Sequence, residues 1–277
     1  MRDKLTIAGV QMSSRGSLGE NLKKAGELIG IAADKGAKII VLPQLFNLPW
    51  FPFEVNKEHF SLAEGDDGES ITAMREAAAK NNVVIIASIF EKADEDYYNT
   101  AFVLGEKGSL TGKYRKVHVP QIPLWEERSY FKPGNLGFPV FKTPYATIGV
   151  QLCWDVFFPE GFRVLALKGA EVVFAPTASA FLHSRQKWER AIAAAAHANG
   201  IFIFRANRVG EEGEQDFYGR SFCVRPDGEF LAAPSGASEG IILSELELMD
   251  ISTARSSWVF LKDRRPNEYR EIVSIDA

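Results

Sequence analysis

Four short apolar runs limit what this chain can fold into: "AKIIVLP" at 37–43, "VVIIASIFEK" at 83–92, "EVVFAPTA" at 171–178 and "IFIFRANRV" at 201–209. Each is rich in β-branched residues and lacks strict apolar/polar alternation, as in strands covered on both faces. Between and beside them lie helix-like stretches: residues 19–35, entered after Ser17 and ended near Gly36, then "ESITAMREAAAKNN", "PEGFRVLALKGA" and "SRQKWERAIAAAAHANG". Covered strands that alternate with helices predict an α/β fold. "KLTIAGVQM" and "ATIGVQLCWD" read as further strands, "NTAFVLGEKG" as the second arm of a hairpin begun at 83, and a strand pair near 218–233 turns at "RPDGE".

No Pro/Gly/Ser-rich linker, charge block or repeat interrupts the 277 residues, so one domain over 1–277 is expected. A net charge of -4 gives no electrostatic footprint for nucleic acid. The apolar runs are too short to span a bilayer and the N-terminus does not read as a secretory signal, which excludes a membrane protein and points to the cytoplasm. In that compartment the only two cysteines, Cys153 and Cys223, are not expected to form a disulfide. His59, His118, His183 and His197 are scattered without metal-ligand spacing, so no metal site is expected. His118 reads as loop packing and His197, in an Ala-rich helix, as core or interface.

"IGVQLCWDVFFPEGFR" carries the sharpest chemistry. Cys153 stands where an apolar strand gives way to a helix whose first turn holds Pro159 and Glu160. Outward N–H groups and nearby cations there favour a thiolate nucleophile. A lone cysteine is as readily a small buried hydrophobe, and this segment alone favours that reading. "GKYRKVHVP" supplies Lys116 between Arg115 and Val117, where a pocketed ammonium would stabilise an oxyanion formed by thiolate attack. Lys113 reads as a solvated edge charge. Asp155 either orients the lysine or caps the next helix. Trp154 lines the pocket or, in the favoured reading, gives its backbone N–H to the oxyanion. Phe46, Trp50, Phe51 and Phe53 either close over the pocket or cover the sheet edge.

Three segments in order, "VLPQLF", "YRKVH" and "GVQLCWD", resemble the nitrilase (carbon-nitrogen hydrolase) superfamily over nearly the whole chain. "QLFNLPWF", "CWDVFFPE" and "DRRP" are most similar to its N-carbamoylputrescine amidase and related N-carbamoyl amidase branch. The resemblance implies a four-layer αββα sandwich, Cys153 as nucleophile, Lys116 as oxyanion stabiliser, and Glu127 of "WEERSYFKPG" as an additional glutamate near the triad. It implies hydrolysis of a non-peptide C–N bond in a small amide or N-carbamoyl compound, with a nitrile substrate as the rival and a non-catalytic binding homologue as the other. No metal or organic cofactor is implied, and the family's habit predicts a homodimer or higher oligomer through 160–168 and 188–199.

One position departs from the pattern. Gln44 stands where the family places its catalytic Glu, and an amide keeps the carboxylate's shape without its basicity. Three accounts compete: a deliberate substitution that traps a complex, a natural inactive homologue, or an active enzyme with Glu127 as the base. The first is favoured because every other part of the site is present.

Overall fold

The computed structural model describes residues 4–274, so the ends of the expected domain at 1–3 and 275–277 lie outside the described residues. In the first half, β1 (Lys4–Gln11), α1 (Leu18–Asp34), β2 (Ile39–Val41), α2 (Glu69–Asn81), β3 (Val84–Ala93), β4 (Asp96–Leu104) and β5 (Leu110–Arg115) follow one another. The second half contributes β6 (Phe141–Lys142), β7 (Thr147–Val150), α3 (Pro159–Leu167), β8 (Val172–Thr177), α4 (Arg185–Asn199) and β9 (Phe202–Asn207). A hairpin, β10 (Val209–Glu212) and β11 (Gln215–Tyr218), leads to β12 (Phe222–Val224), β13 (Gly240–Glu247) and α5 (Met249–Ser257). Ser17 caps α1 in a reciprocal pair with Glu20, which fixes the start where the sequence placed it.

Two sheets result, ordered β13-β1-β2-β3-β4-β5 and β12-β9-β8-β7-β6. β1, β2 and β3 run parallel, as do β7, β8 and β9. The face between the sheets is apolar from both sides: Ile7, Val41 and Ile86 of the first meet Ile148, Phe174 and Phe204 of the second. On the outer faces Leu22, Ile29 and Met74 of α1 and α2 cover Val10, Ile40 and Ile85. Phe162, Leu165 and Ile192 of α3 and α4 cover Val173 and Ile203. Strands buried on both faces explain the continuous apolar runs, and the layer order is helix, sheet, sheet, helix. The sheets approach so closely at Gly9 that a Cβ there would lie 2.2 Å from the Phe204 ring.

Three stretches depart from the expectation. β13 was not anticipated; it pairs antiparallel with β1 from Lys4–Glu247 to Gln11–Gly240 and so returns the chain to the first sheet. The expected strand pair at 218–233 shrinks to β12 and a single bridge, Val224–Phe230, around a turn closed by Arg225 and Glu229. Lys113 is not a solvated edge charge: its Nζ lies 2.5 Å from buried Glu91 Oε1 and 2.7 Å from Asp66 Oδ1. No described helix is long and apolar enough to cross a membrane.

Candidate active site

The loop after β2 carries Gln44, fully buried, in a tight turn whose next residue, Leu45, has φ of 51°. A left-handed leucine needs an external hold. Arg208, just beyond β9, supplies it: Nε donates to Gln44 O at 3.0 Å, and Nη2 to Leu48 O at 2.7 Å and to Leu45 O. Glu212 balances that buried guanidinium at 2.5 Å and accepts from Ser14 N and Trp50 N, both at 2.9 Å.

Lys116 extends from the end of β5, its backbone N–H bonded to Asn99 O at 2.9 Å. Behind it Gly134 N–H reaches Lys116 O at 2.7 Å, and the chain crosses so tightly that a Cβ at 134 would meet Arg115 O at 2.1 Å. Lys116 Nζ donates to Glu127 Oε2 at 2.6 Å, with both side chains out of solvent. Glu127, in the 3-10 turn Glu127–Ser129, also faces Gln44 Nε2 at 3.3 Å and Asn99 Nδ2 at 3.4 Å. Among the described residues Gln44 Oε1 has no hydrogen-bond partner. A buried acceptor left open beside a reactive pair is costly in a scaffold and useful where a substrate or water donor is to be held.

Cys153 begins the 3-10 turn Cys153–Phe157 directly after the second sheet's β7, with φ of 49°. A β-carbon-bearing residue in that region is strained, and here the strain turns the sulfur out of the strand line. Asp155 holds the turn in place. Its Oδ2 accepts from Leu152 N at 3.0 Å and Tyr114 Oη at 2.7 Å, and its Oδ1 from His118 N at 2.9 Å, with His118 Nδ1 at 2.8 Å. Asp155 therefore neither touches Lys116 nor caps α3; it ties the segment bearing Lys116 to the turn bearing Cys153. Burial pushes the Cys153 thiol up, Lys116 pulls it down and Glu127 adds to the rise.

Cys153 opens on a cavity of about 400 Å³ lined by Trp125, Trp154, Phe157, Ala178, Ser179 and Trp188 among others. Its Sγ lies 3.9 Å from Ala178 O. Trp154 is the second residue of the Cys153 turn, where amides lack partners within the turn.

A family model described as carbon-nitrogen hydrolase matches residues 6–256. The chain belongs to the carbon-nitrogen hydrolase family. It is 37% identical over 288 residues to an N-carbamoylputrescine amidase of Solanum lycopersicum, with 99% of this chain and 96% of the relative covered. A citrullinase of Francisella tularensis is 36% identical over 280 residues, covering 97% and 98%. Among solved structures, a carbon-nitrogen hydrolase from Helicobacter pylori superposes with a TM-score of 0.93 at 34% identity, covering 98% of this chain and 99% of that one.

In this carbon-nitrogen hydrolase the structure gathers Gln44, Lys116, Glu127 and Cys153 at one site, from three loops and a strand end. The four loop aromatics that were candidates to close over the pocket are elsewhere. Phe46 packs under α1 and α2 on the helix side of the first sheet, where its bulk fills the core. Trp50 lies behind the cavity wall, its Nε1 on Leu124 O and its ring 5.8 Å from Trp125, so Trp125 presents the aromatic face instead. Phe51 stacks on Phe90 and Phe53 sits at the surface. His118 stacks on Phe158 at 3.7 Å, and His197 packs edge-on to Trp258 and Phe260. Arg208 and Glu212 were not anticipated; their signal is two charges, "R…E", just past an apolar strand that has no solvent face. Among the described residues no group of three or more His, Cys, Asp or Glu side chains suits a metal ion.

Proposed function

We propose that this carbon-nitrogen hydrolase cleaves the C–N bond of a small amide or N-carbamoyl compound through a thioester on Cys153. The observation that carries the reading is the buried Lys116–Glu127 pair beside a strained cysteine that opens on a largely apolar cavity. Cys153 sulfur attacks the carbonyl carbon and its proton leaves; the oxygen that gains charge is met by Lys116 Nζ and the Trp154 N–H. The C–N bond then breaks, the amine departs with a proton, and water hydrolyses the thioester to regenerate the thiol. Glu127 holds Lys116 in place, since its oxygens are already committed to Lys116, Gln44 and Asn99.

Proton transfer is the weak link. Gln44 cannot accept the thiol proton or that of water, and a thiol pushed up by burial needs a base for attack as well as for hydrolysis. Both half-reactions therefore lose rate. The expected result for Gln44→Glu is a rise in turnover of about 10²-fold to 10⁴-fold, the usual worth of a general base. It is read as ammonia release from N-carbamoyl amines, N-carbamoyl amino acids, simple amides and nitriles. A clear preference for nitriles would move the reading to a nitrilase. Inactivity of both proteins toward every compound would favour a binding homologue, and equal activity would make Glu127 the base.

The same reading includes a second copy docked on α3 and α4. Between these helices runs a groove lined by Arg163, Leu167, Ala191 and Ala198, with Leu167 nearly half exposed. The chain's own Tyr269, Ile272 and Val273 line the same groove, so the tail belongs to the contact. Sedimentation as a 30.7 kDa species at micromolar concentration would remove this part of the proposal.

A further inference from the structure

The two named relatives differ in the charge of what their names say they act on, and the cavity of this chain bears on that difference. Among the described residues no Asp or Glu lines it, whereas the exposed Lys187 and His183 stand at its mouth. Behind the wall lies a second cationic side chain. Arg205, in β9, is 1% exposed and among the described residues has no carboxylate at hydrogen-bond distance; Glu189, which acts on it at longer range, is held by Arg220 at 2.6 Å. Arg205 instead lies against the Trp188 ring at 4.9 Å and donates to Arg220 O at 3.0 Å and to Tyr218 Oη at 3.1 Å, while its Nε stays unpartnered.

The hydrogen-bond directions follow from which groups can only donate. A guanidinium has no acceptor, so Tyr218 oxygen accepts from Arg205. Among the described residues the remaining polar group within reach of Tyr218 Oη is Ser179 Oγ at 2.9 Å. If Ser179 gave its proton to Tyr218, the buried Tyr218 proton would have no acceptor. With Tyr218 donating to Ser179, the one proton left without a protein acceptor is that of Ser179, a residue that lines the cavity rather than one closed behind its wall. Ser179, which lines the cavity next to Ala178, is then left to direct its own proton inward.

We propose that the cavity selects compounds whose far end carries a carboxylate, with the Ser179 hydroxyl as an oriented donor to it and Lys187 at the mouth as its counter-charge. This rests on the proposed function and narrows it. An ammonium tail would leave water for a wall with no anion and with a buried guanidinium two hydrogen bonds behind Ser179. Aromatic faces attract an ammonium, but Trp188 already has Arg205 against its ring and Trp125 is packed on Trp50 and Phe181.

The test uses the Gln44→Glu protein and three matched ureas: butylurea, 4-ureidobutanoate and 4-aminobutylurea. The expected order of kcat/KM is carboxylate, then methyl, then ammonium, with about tenfold between the first two, as for one hydrogen bond to a charged group. Ser179→Ala should compress that ratio by about the same factor, and Lys187→Ala should narrow the gap between carboxylate and ammonium. Preference for 4-aminobutylurea, or a carboxylate-to-methyl ratio unmoved by Ser179→Ala, overturns the inference and leaves the proposed function standing. Turnover of none of the three, with simple amides or nitriles hydrolysed, overturns the inference together with the N-carbamoyl part of that function.

Discussion

Two buried ion pairs flank the turn that carries Gln44, and they differ in how completely they are used. Arg208 and Glu212 lie 2.5 Å apart, and nearly every other donor and acceptor they own is spent on backbone: three carbonyls of the 44–48 turn on one side, the amides of Ser14 and Trp50 on the other. Lys116 and Glu127 lie 2.6 Å apart and are just as buried, yet among the described residues the ammonium donates to Glu127 alone. An ammonium has three donors, so two remain for a ligand. A saturated pair fixes backbone; an unsaturated one beside Cys153 keeps donors free for a ligand. Position in the sequence does not separate the two, whereas hydrogen-bond accounting does.

The largest effect that would break this contrast is on rate. In the Gln44→Glu background, Lys116→Met should cost about 10²-fold to 10³-fold in kcat, the usual worth of an oxyanion donor. Because Lys116→Met also strands Glu127, the double variant Lys116→Met/Glu127→Gln is the cleaner probe: it should recover stability in urea unfolding without recovering activity. Recovery of activity would show that Lys116 serves only to neutralise Glu127. Arg208→Met should act the other way round. It leaves Glu212 buried and frees three carbonyls, so about 3–5 kcal/mol of unfolding free energy should be lost. Any loss of activity should then follow the unfolded fraction. A stable but inactive Arg208→Met protein would make the saturated pair part of the chemistry and end the distinction.

How far the sequence reveals each pair follows from the same physics. The helical layers and both central sets of parallel strands were readable because burial on two faces imposes continuous apolar runs. Cys153 and Lys116 were readable only jointly: the cysteine's own segment favours a small buried hydrophobe, and it is three motifs in order that single out both residues. Arg208 was not, since its partners are main-chain carbonyls 160 to 164 residues away, and a carbonyl has no residue type to recognise. Phe46 and Trp50 share a loop and a composition, yet one faces the helices and the other backs the cavity wall. Their directions depend on the left-handed turn at Leu45, which nothing in the side-chain pattern announces. β13 escaped for a related reason: only alternate residues of "GIILSELE" are buried toward its end, the pattern of an edge strand, and an edge is the least constrained place in a sheet. Asp155 was readable as a carboxylate near Cys153 but not as a tie, because Tyr114 and His118 meet it only across the two sheets' ends.

The smallest effect sharpens the contrast at the level of a single proton. Cys223 sits between the sheets with its thiol pushed up to about 12 by burial, and no charge opposes that rise. Burial also raises the Cys153 thiol, but Lys116 lowers it and Glu127 raises it. A raised pKa keeps the neutral thiol as the main form at neutral pH, so alkylation of Cys153 by iodoacetamide should still be accelerating above the ordinary thiol value of about 8.5. Cys153 should nonetheless label before Cys223, because it opens on the cavity whereas Cys223 is reached only by unfolding. At a fixed pH near 8 the two partners of the unsaturated pair should move the rate in opposite directions. Lys116→Met removes the group that favours the thiolate and should slow labelling severalfold; Glu127→Gln removes one that disfavours it and should speed labelling. Arg208→Met should do neither while the protein stays folded. Peptide mapping over a time course reads all three, and preferential labelling of Cys223, or shifts of the same sign from Lys116→Met and Glu127→Gln, would mean that the pair does not act on the nucleophile through its charge.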